Sequence, residues 1–189
     1  MLGWDVTDFG QGRFEEMGRT LFTLRNGGIQ GHGYEKCYAE KVILDPPNQK
    51  PPLHYHRSKM EDIIVRGGGN ILVKLFKATP EGQPADEKFT VQVDGQTRQL
   101  NSGAILRLAP GESLCIPPRL IHQFWGEEGT GIRIAGVGYT VSGEVSSICD
   151  DWNDNFFLEP ADRFPPIEED EPRRYYLCHE YPQAISEGI

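Results

Sequence analysis

The sequence is short of cysteine, of basic residues and of long apolar runs. Its four cysteines (Cys37, Cys115, Cys149 and Cys178) are scattered over 189 residues and make no Cys-x-x-Cys pair. Such spacing does not read as a disulfide framework, and Cys37 and Cys115 fall in strand-like runs where small buried thiols are expected. Lys and Arg number 19 against 28 Asp and Glu, a net charge of −9 with a pI near 5.0. Binding a phosphate backbone needs clustered Lys and Arg, so no nucleic acid partner is expected, and a neutral polar ligand or a cation fits better. No stretch approaches the apolar length that spans a bilayer. Residues Met1–Asp5 lack the basic region followed by an apolar run that opens a signal peptide. These absences lead to the expectation of a cytoplasmic protein with no membrane partner. Internal repeats and low-complexity segments are absent too.

What is abundant is turn chemistry. The 22 glycines and 14 prolines punctuate short β-type runs. Candidate strands are 42–44, 63–65, 71–76, 105–108, 113–116 and 132–137. Segments 89–93 and 96–100 read as a hairpin around Asp94-Gly95, a pair that tolerates positive φ. Many short strands at this spacing predict an all-β sandwich or barrel, and the length predicts a single domain over 1–189. Helical pattern is sparse: 11–24 holds one candidate helix, with Phe14, Met17 and Leu21 on a stripe. Residues 79–88 read as a surface loop, Glu168 to Glu171 as a solvated acidic run, and 175–178 as a closing strand.

The chemistry is concentrated in His54-Tyr55-His56, in Glu61, and in the block from Pro117 to His122. Alternate residues of a strand share a face, so His54 and His56 can address one ion together. Glu61 can return from the next strand and His122 from a strand packed opposite. Three imidazoles and a carboxylate suit Mn, Fe, Co, Ni or Zn, with positions left for a ligand. His32 and His179 have no motif around them. Gly67-Gly68-Gly69 lacks the Lys-Ser/Thr of a phosphate loop and reads as a turn.

The run from His54 through Glu61 to Gly68, followed by Gly111, Pro117 and His122, resembles the two signatures of the cupin superfamily. Arg119 stands where cupins often have Gly, and Gly126 where they often have Asn. A narrower resemblance is to the D-lyxose isomerases. It is carried by Leu2-Gly3-Trp4-Asp5-Val6-Thr7-Asp8-Phe9-Gly10, Cys37 to Lys41, Glu61 to Ile64, Arg66 to Asn70 and Gly143 to Ser147. It implies a homodimeric cupin barrel with one or a few short helices and an Mn2+-dependent aldose–ketose isomerase. The family's substrates are D-lyxose and D-xylulose, and D-mannose and D-fructose.

Isomerisation through an enediol needs a base at the C1/C2 pair, a Lewis acid on the two oxygens, and a donor for the developing charge. The resemblance points to His54, His56, Glu61 and His122 as metal ligands and to Glu144 as the base. Lys59, tethered between His56 and Glu61, is a candidate to donate to a sugar oxygen or to shuttle the hydroxyl proton during transfer. Arg163 is a candidate clamp on hydroxyls, with Asp162 orienting it or serving as a second acid–base group. Lys41 and Glu40 are candidates for the pocket lining, and Trp4, Phe124 and Trp125 for sugar-stacking walls. The same ligands can hold Fe(II) for oxygen chemistry, and a sugar-binding cupin without catalysis is a further alternative.

Overall fold

The computed structural model describes residues 1–28 and 36–181. Strand β1 (Gly3–Thr7) is followed by a one-turn helix α1 (Phe14–Met17), then β2 (Arg19–Arg25) and β3 (Tyr38–Asp45). Next come β4 (His54–Tyr55), β5 (Glu61–Gly67), β6 (Ile71–Lys77), β7 (Phe89–Val93) and β8 (Gln96–Leu100). The remainder are β9 (Ala104–Leu108), β10 (Ser113–Ile116), β11 (Leu120–Gly126), β12 (Ile132–Ile134), β13 (Val137–Ser147) and β14 (Phe156–Phe157).

All named strands pair antiparallel, in two sheets. One runs β1-β2-β3-β13-β5-β10-β7-β8, with β12 attached to β13; the other runs β14-β4-β11-β6-β9. Their inner faces enclose one core, built from alternate residues such as Ile63 and Val65 on β5, Ile71, Val73 and Leu75 on β6, and Leu114 and Ile116 on β10. Burying these β-branched and Leu side chains drives the sheets together, at roughly 25 cal/mol per Å2 of apolar surface removed from water. This is the all-β cupin barrel that the sequence leads one to expect. At one end of the barrel the inward positions turn polar: Lys41, Glu61, His122 and Glu144 are all buried. Among the described residues no helix is long and apolar enough to cross a membrane.

The Asp94-Gly95 hairpin forms as expected, with φ of 50° and 74° at the two turn residues. Of the two departures from the general cupin pattern, Arg119 is held by hydrogen bonds against its backbone preference, and Gly126 has a steric reason. Arg119 holds φ 65°, a conformation that favours glycine, and its guanidinium is engaged by the carbonyls of Thr79 (3.0 Å) and Pro80 (2.7 Å). A Cβ on Gly126 would lie 2.3 Å from the Asp45 carbonyl oxygen, which leaves no room for a side chain.

Four sequence expectations are corrected. The helix over 11–24 shrinks to Phe14–Met17, because 19–25 alternates buried and exposed positions and pairs with β1 and β3. Leu21 belongs to the barrel core instead of a helical stripe. The run 132–137 is broken by a turn at Ala135 (φ 49°) and Gly136 (φ 87°), which splits it into β12 and the start of β13. Segment 175–178 forms only a bridge, Leu177 to Trp4, and no strand. Finally, Cys37 is exposed and Cys115 half-buried on an outward position of β10, whereas Cys149 and Cys178 are the buried thiols; all four are free.

Candidate active site

Strand pairing assembles the histidines. His122 on β11 is the direct antiparallel partner of His54 on β4, and His56 follows two residues later. One ligand nitrogen from each of the three lies within 4.8 Å of the others. Each ring is oriented by a main-chain carbonyl at Nδ1: Pro52 for His54 (3.0 Å), Asp154 for His56 (2.7 Å) and Leu120 for His122 (2.9 Å). A carbonyl only accepts, so Nδ1 carries the proton in each ring and Nε2 presents a lone pair. Burial pushes the His54 imidazole well below its ordinary range, reinforced by His122 and His56. Burial, with Lys59 beside it, lowers His56 to about 4.

Glu61 closes the group from β5. Its Oε1 lies 2.8 Å from His122 Nε2, and its Oε2 lies 3.6 Å from His56 Nε2. His122 Nε2 is buried and has no hydrogen-bond donor or acceptor to satisfy it. With Nδ1 already donating to Leu120, the 2.8 Å approach in a neutral ring sets two lone pairs against each other. A positive charge at Nε2, from a proton or from a metal ion, relieves that opposition. Burial would raise the Glu61 carboxyl, but Lys59 and the histidines hold it well below its ordinary range. Three imidazoles converging in this way, with the Glu61 carboxylate against two of them, fit a divalent transition ion.

Beyond the histidines runs a chain of alternating charges. Lys59 Nζ lies 2.6 Å from Glu61 Oε2 and donates to Glu144 Oε1 at 2.8 Å. Lys41, the cross-strand partner of Glu144, approaches the same oxygen at 3.7 Å and donates to Asp151 Oδ1 at 3.3 Å. Arg163 pairs with Asp5 and comes within 3.6 Å of Asp151. Burial opposes the ionised form of Glu144, yet Lys41 and Lys59 outweigh it and keep the carboxyl below its ordinary range. In Lys59 the outcome is likewise set by partners: burial lowers it, and Glu144 and Glu61 raise it further. Both groups are therefore charged at neutral pH. The main-chain path between His56 and Lys59 is held by Asp154, whose carboxylate accepts from the N–H groups of Arg57 (2.8 Å), Ser58 (3.1 Å) and Lys59 (2.8 Å).

These groups line one open pocket. Of the residues singled out from sequence, His54, His56, Glu61, His122, Lys59, Glu144, Lys41 and Arg163 all line it. Asp162 does not: it is exposed, and its Oδ1 accepts from Phe164 N at 3.0 Å. The carboxylates beside Arg163 are instead Asp151 and Asp5. Glu40 faces outward and pairs with Arg25. Phe124 is part of the pocket wall, whereas Trp4 packs edge-on to Phe22 and Trp125 lies under Lys50. His179 stacks near Trp152 and Phe164, away from the histidine cluster, and His32 falls outside the described residues. Glu168 to Glu171 are exposed.

Sequence reasoning missed Asp151, Asp154 and Arg19. Arg19 sits under the pocket, bonded to Asp45 and, at 3.1 Å, to the Phe124 carbonyl. None lies in a motif; Asp150-Asp151 and Asp154 look like ordinary loop acids, and Arg19 falls within the segment expected to be helical.

Comparison with known proteins bears on the same arrangement. The family model described as D-lyxose isomerase matches residues 1–181. A D-lyxose/D-mannose isomerase of Escherichia coli O157:H7 is 51% identical over 182 residues, covering 96% of this chain and 77% of that protein. A D-lyxose/D-mannose isomerase of Serratia proteamaculans is 49% identical over 185 residues, covering 98% and 78%. Among solved structures, L-ribose isomerase of Cellulomonas parahominis aligns with a TM-score of 0.54 at 16% identity, over 81% of this chain and 75% of that one. A mutant L-ribose isomerase of Acinetobacter sp. DL28, in complex with L-ribose, aligns at 0.53 and 16%, over 77% and 72%. Likeness at that identity speaks to the fold alone.

Proposed function

The chain belongs to the D-lyxose isomerase family and is a sugar isomerase, and from that premise we propose a metal-dependent interconversion of D-lyxose with D-xylulose and of D-mannose with D-fructose. The observation that supports the metal is the convergence of the three histidine nitrogens within 4.8 Å, with Glu61 2.8 Å from the buried His122 Nε2. His54, His56, Glu61 and His122 hold the ion, with Mn2+ as the proposed metal. When bound, such an ion supplies Lewis acidity at the C1/C2 oxygens.

Everything else in the reaction falls to the protein's own side chains. Glu144, ionised and buried, takes the C2 proton of the aldose and returns it at C1. Because one carboxylate serves both carbons, the proton shifts across one face of the enediol. The Lys59 ammonium, 2.8 Å from Glu144, gives a proton to O1 as charge develops there and regains one from the O2 hydroxyl, so that the hydroxyl proton moves from O2 to O1 while Glu144 moves the carbon-bound one. Lys41 holds the same carboxylate from the opposite side, and Asp151 holds Lys41. Arg163, whose Nη1 is buried without a partner, is proposed to bind a sugar hydroxyl. Asp162 supports it indirectly, by fixing the turn into Phe164.

We further propose that 1–189 acts as one domain, as a cytoplasmic homodimer. Four free thiols are consistent with a reducing compartment. The exposed Ile132, Ile134 and Val137, beside an apolar groove on the outer sheet face, are a surface that a second copy would cover.

The test is anaerobic incubation of metal-stripped protein with D-lyxose or D-mannose in D2O, with and without Mn2+, followed by NMR. Mn-dependent formation of D-xylulose or D-fructose is expected. No ketose from protein shown to have rebound Mn2+ would reject the reading, and activity requiring O2 would favour the Fe(II) alternative.

A further inference from the structure

The pocket lining holds the charged row from Glu61 to Arg163 and also apolar side chains, among them two phenyl rings that lead away from the histidines. The ring centroids of His54 and Phe157 are 5.9 Å apart, and those of Phe157 and Phe9 are 5.7 Å apart, edge to face. Phe157 is tied to the ligand strand itself, since it pairs with His54 across β14 and β4.

Phe9 is held in an unusual way. Its φ of 57° lies in the left-handed region, where a bulky side chain is an outlier. The chain has glycines made for such angles immediately after it, Gly10 at 73° and Gly12 at 66°, yet a phenylalanine occupies the first position of the turn. Its backbone cannot relax. Phe9 N donates to Thr7 Oγ1 at 2.9 Å, and its carbonyl accepts from Asp162 N at 3.0 Å. Asp8 then caps the N–H groups of Gly10 (2.8 Å) and Gly12 (2.7 Å). Strain that is over-determined by surrounding bonds marks a place where position matters more than local comfort. Here the bonds place a buried ring in the pocket lining.

We infer that Phe9, backed by Phe157, is the specificity-determining wall that sets how long a sugar the pocket accepts. The inference rests on the isomerase reading above. A sugar held by O1 and O2 at the histidine cluster must run its remaining carbons outward. Where they run along His54, Phe157 and Phe9, each added carbon brings the chain nearer the Phe9 ring, so a six-carbon sugar meets this wall more closely than a five-carbon one. The charged groups bind hydroxyls common to both sugars; the apolar wall discriminates by length.

The experiment compares kcat/KM for D-mannose and D-lyxose in Mn2+-loaded wild type, Phe9→Ala and Phe9→Leu, with metal content and melting temperature measured in parallel. Removing the ring is expected to raise the mannose-to-lyxose ratio about tenfold, the scale on which one carbon is discriminated, with a smaller rise for Phe9→Leu. Should Phe9→Ala not fold, Phe9→Leu decides. A wild-type ratio in a folded, metal-loaded variant would overturn the inference while leaving the isomerase reading intact. Wild-type protein inactive on both sugars would sink that reading and this inference together.

Discussion

Replacing Asp154 by alanine tests whether the loop between His56 and Lys59 is organised from outside the pocket. The Asp154 carboxylate receives three consecutive main-chain N–H groups, those of Arg57, Ser58 and Lys59, within 2.8 to 3.2 Å. Hydrogen bonds to a charged acceptor stabilise by about 1.5–3 kcal/mol when buried, and less where water competes. Two of these donors are solvent-exposed and one is half-buried, so the sum is about 3–4 kcal/mol. In a chain of this size that lowers the melting temperature by roughly 10 °C. Because the Asp154 carbonyl also orients His56 at 2.7 Å, loosening the loop should weaken Mn2+ binding by about tenfold or more. Asp154→Asn keeps one acceptor oxygen and should lose about half as much stability. Differential scanning calorimetry and metal titration read both quantities. If Asp154→Ala melts within about 3 °C of wild type and binds Mn2+ unchanged, the loop is held by something else.

Other predictions concern the charged row. Glu144→Gln should retain the metal and the fold but lose about 100-fold or more in kcat; wild-type turnover would remove Glu144 as the base. His54→Ala should lose metal affinity and activity together, so full metal occupancy by mass spectrometry with normal turnover would reject its role as a ligand. Asp151 sets part of the acid limit of stability. Burial would raise its carboxyl, but Lys41 and Arg163 hold it below its ordinary value of 3.8. A depressed folded-state pKa gives stabilisation that is complete above 3.8 and is lost as pH falls through the folded-state value. Asp151→Asn should therefore be less stable at pH 7, by about 2–3 kcal/mol because each cation keeps a second carboxylate. Its stability should also change less between pH 4 and pH 2; an acid-denaturation curve parallel to wild type over that range would refute the assignment.

The strands and the histidines were legible in the sequence for the same reason: both are short-range patterns. Alternation in 63–65 and 71–76 reports a pleated, half-buried surface, and His54 with His56 follows the same period of two. What sequence reasoning could not reach was set by long-range partners. Segment 19–25 became a strand because β1 and β3 flank it, although Phe14, Met17 and Leu21 fall at helical spacing. The acid facing Arg163 was misassigned to its neighbour Asp162, whereas the fold brings Asp151 to it from a loop and Asp5 from β1. Adjacency along the chain was a poor guide to adjacency in space. Phe9 illustrates the same limit, since a left-handed phenylalanine leaves no mark in composition or periodicity.

The three carbonyls that orient the histidines belong to the main chain of Pro52, Leu120 and Asp154, and every amino acid supplies a carbonyl. Where a carboxylate anchors a ligand histidine, one substitution can erase the anchor. Here the imidazoles take their bearing from the course of the backbone, so substitutions at Pro52 or Leu120 that preserve that course leave the ring orientation unaltered. Only Asp154 combines the two dependences, through its carbonyl and its side chain. The bearing of the three imidazoles is thus insulated from most side-chain substitution at Pro52 and Leu120, and depends on side-chain identity at Asp154.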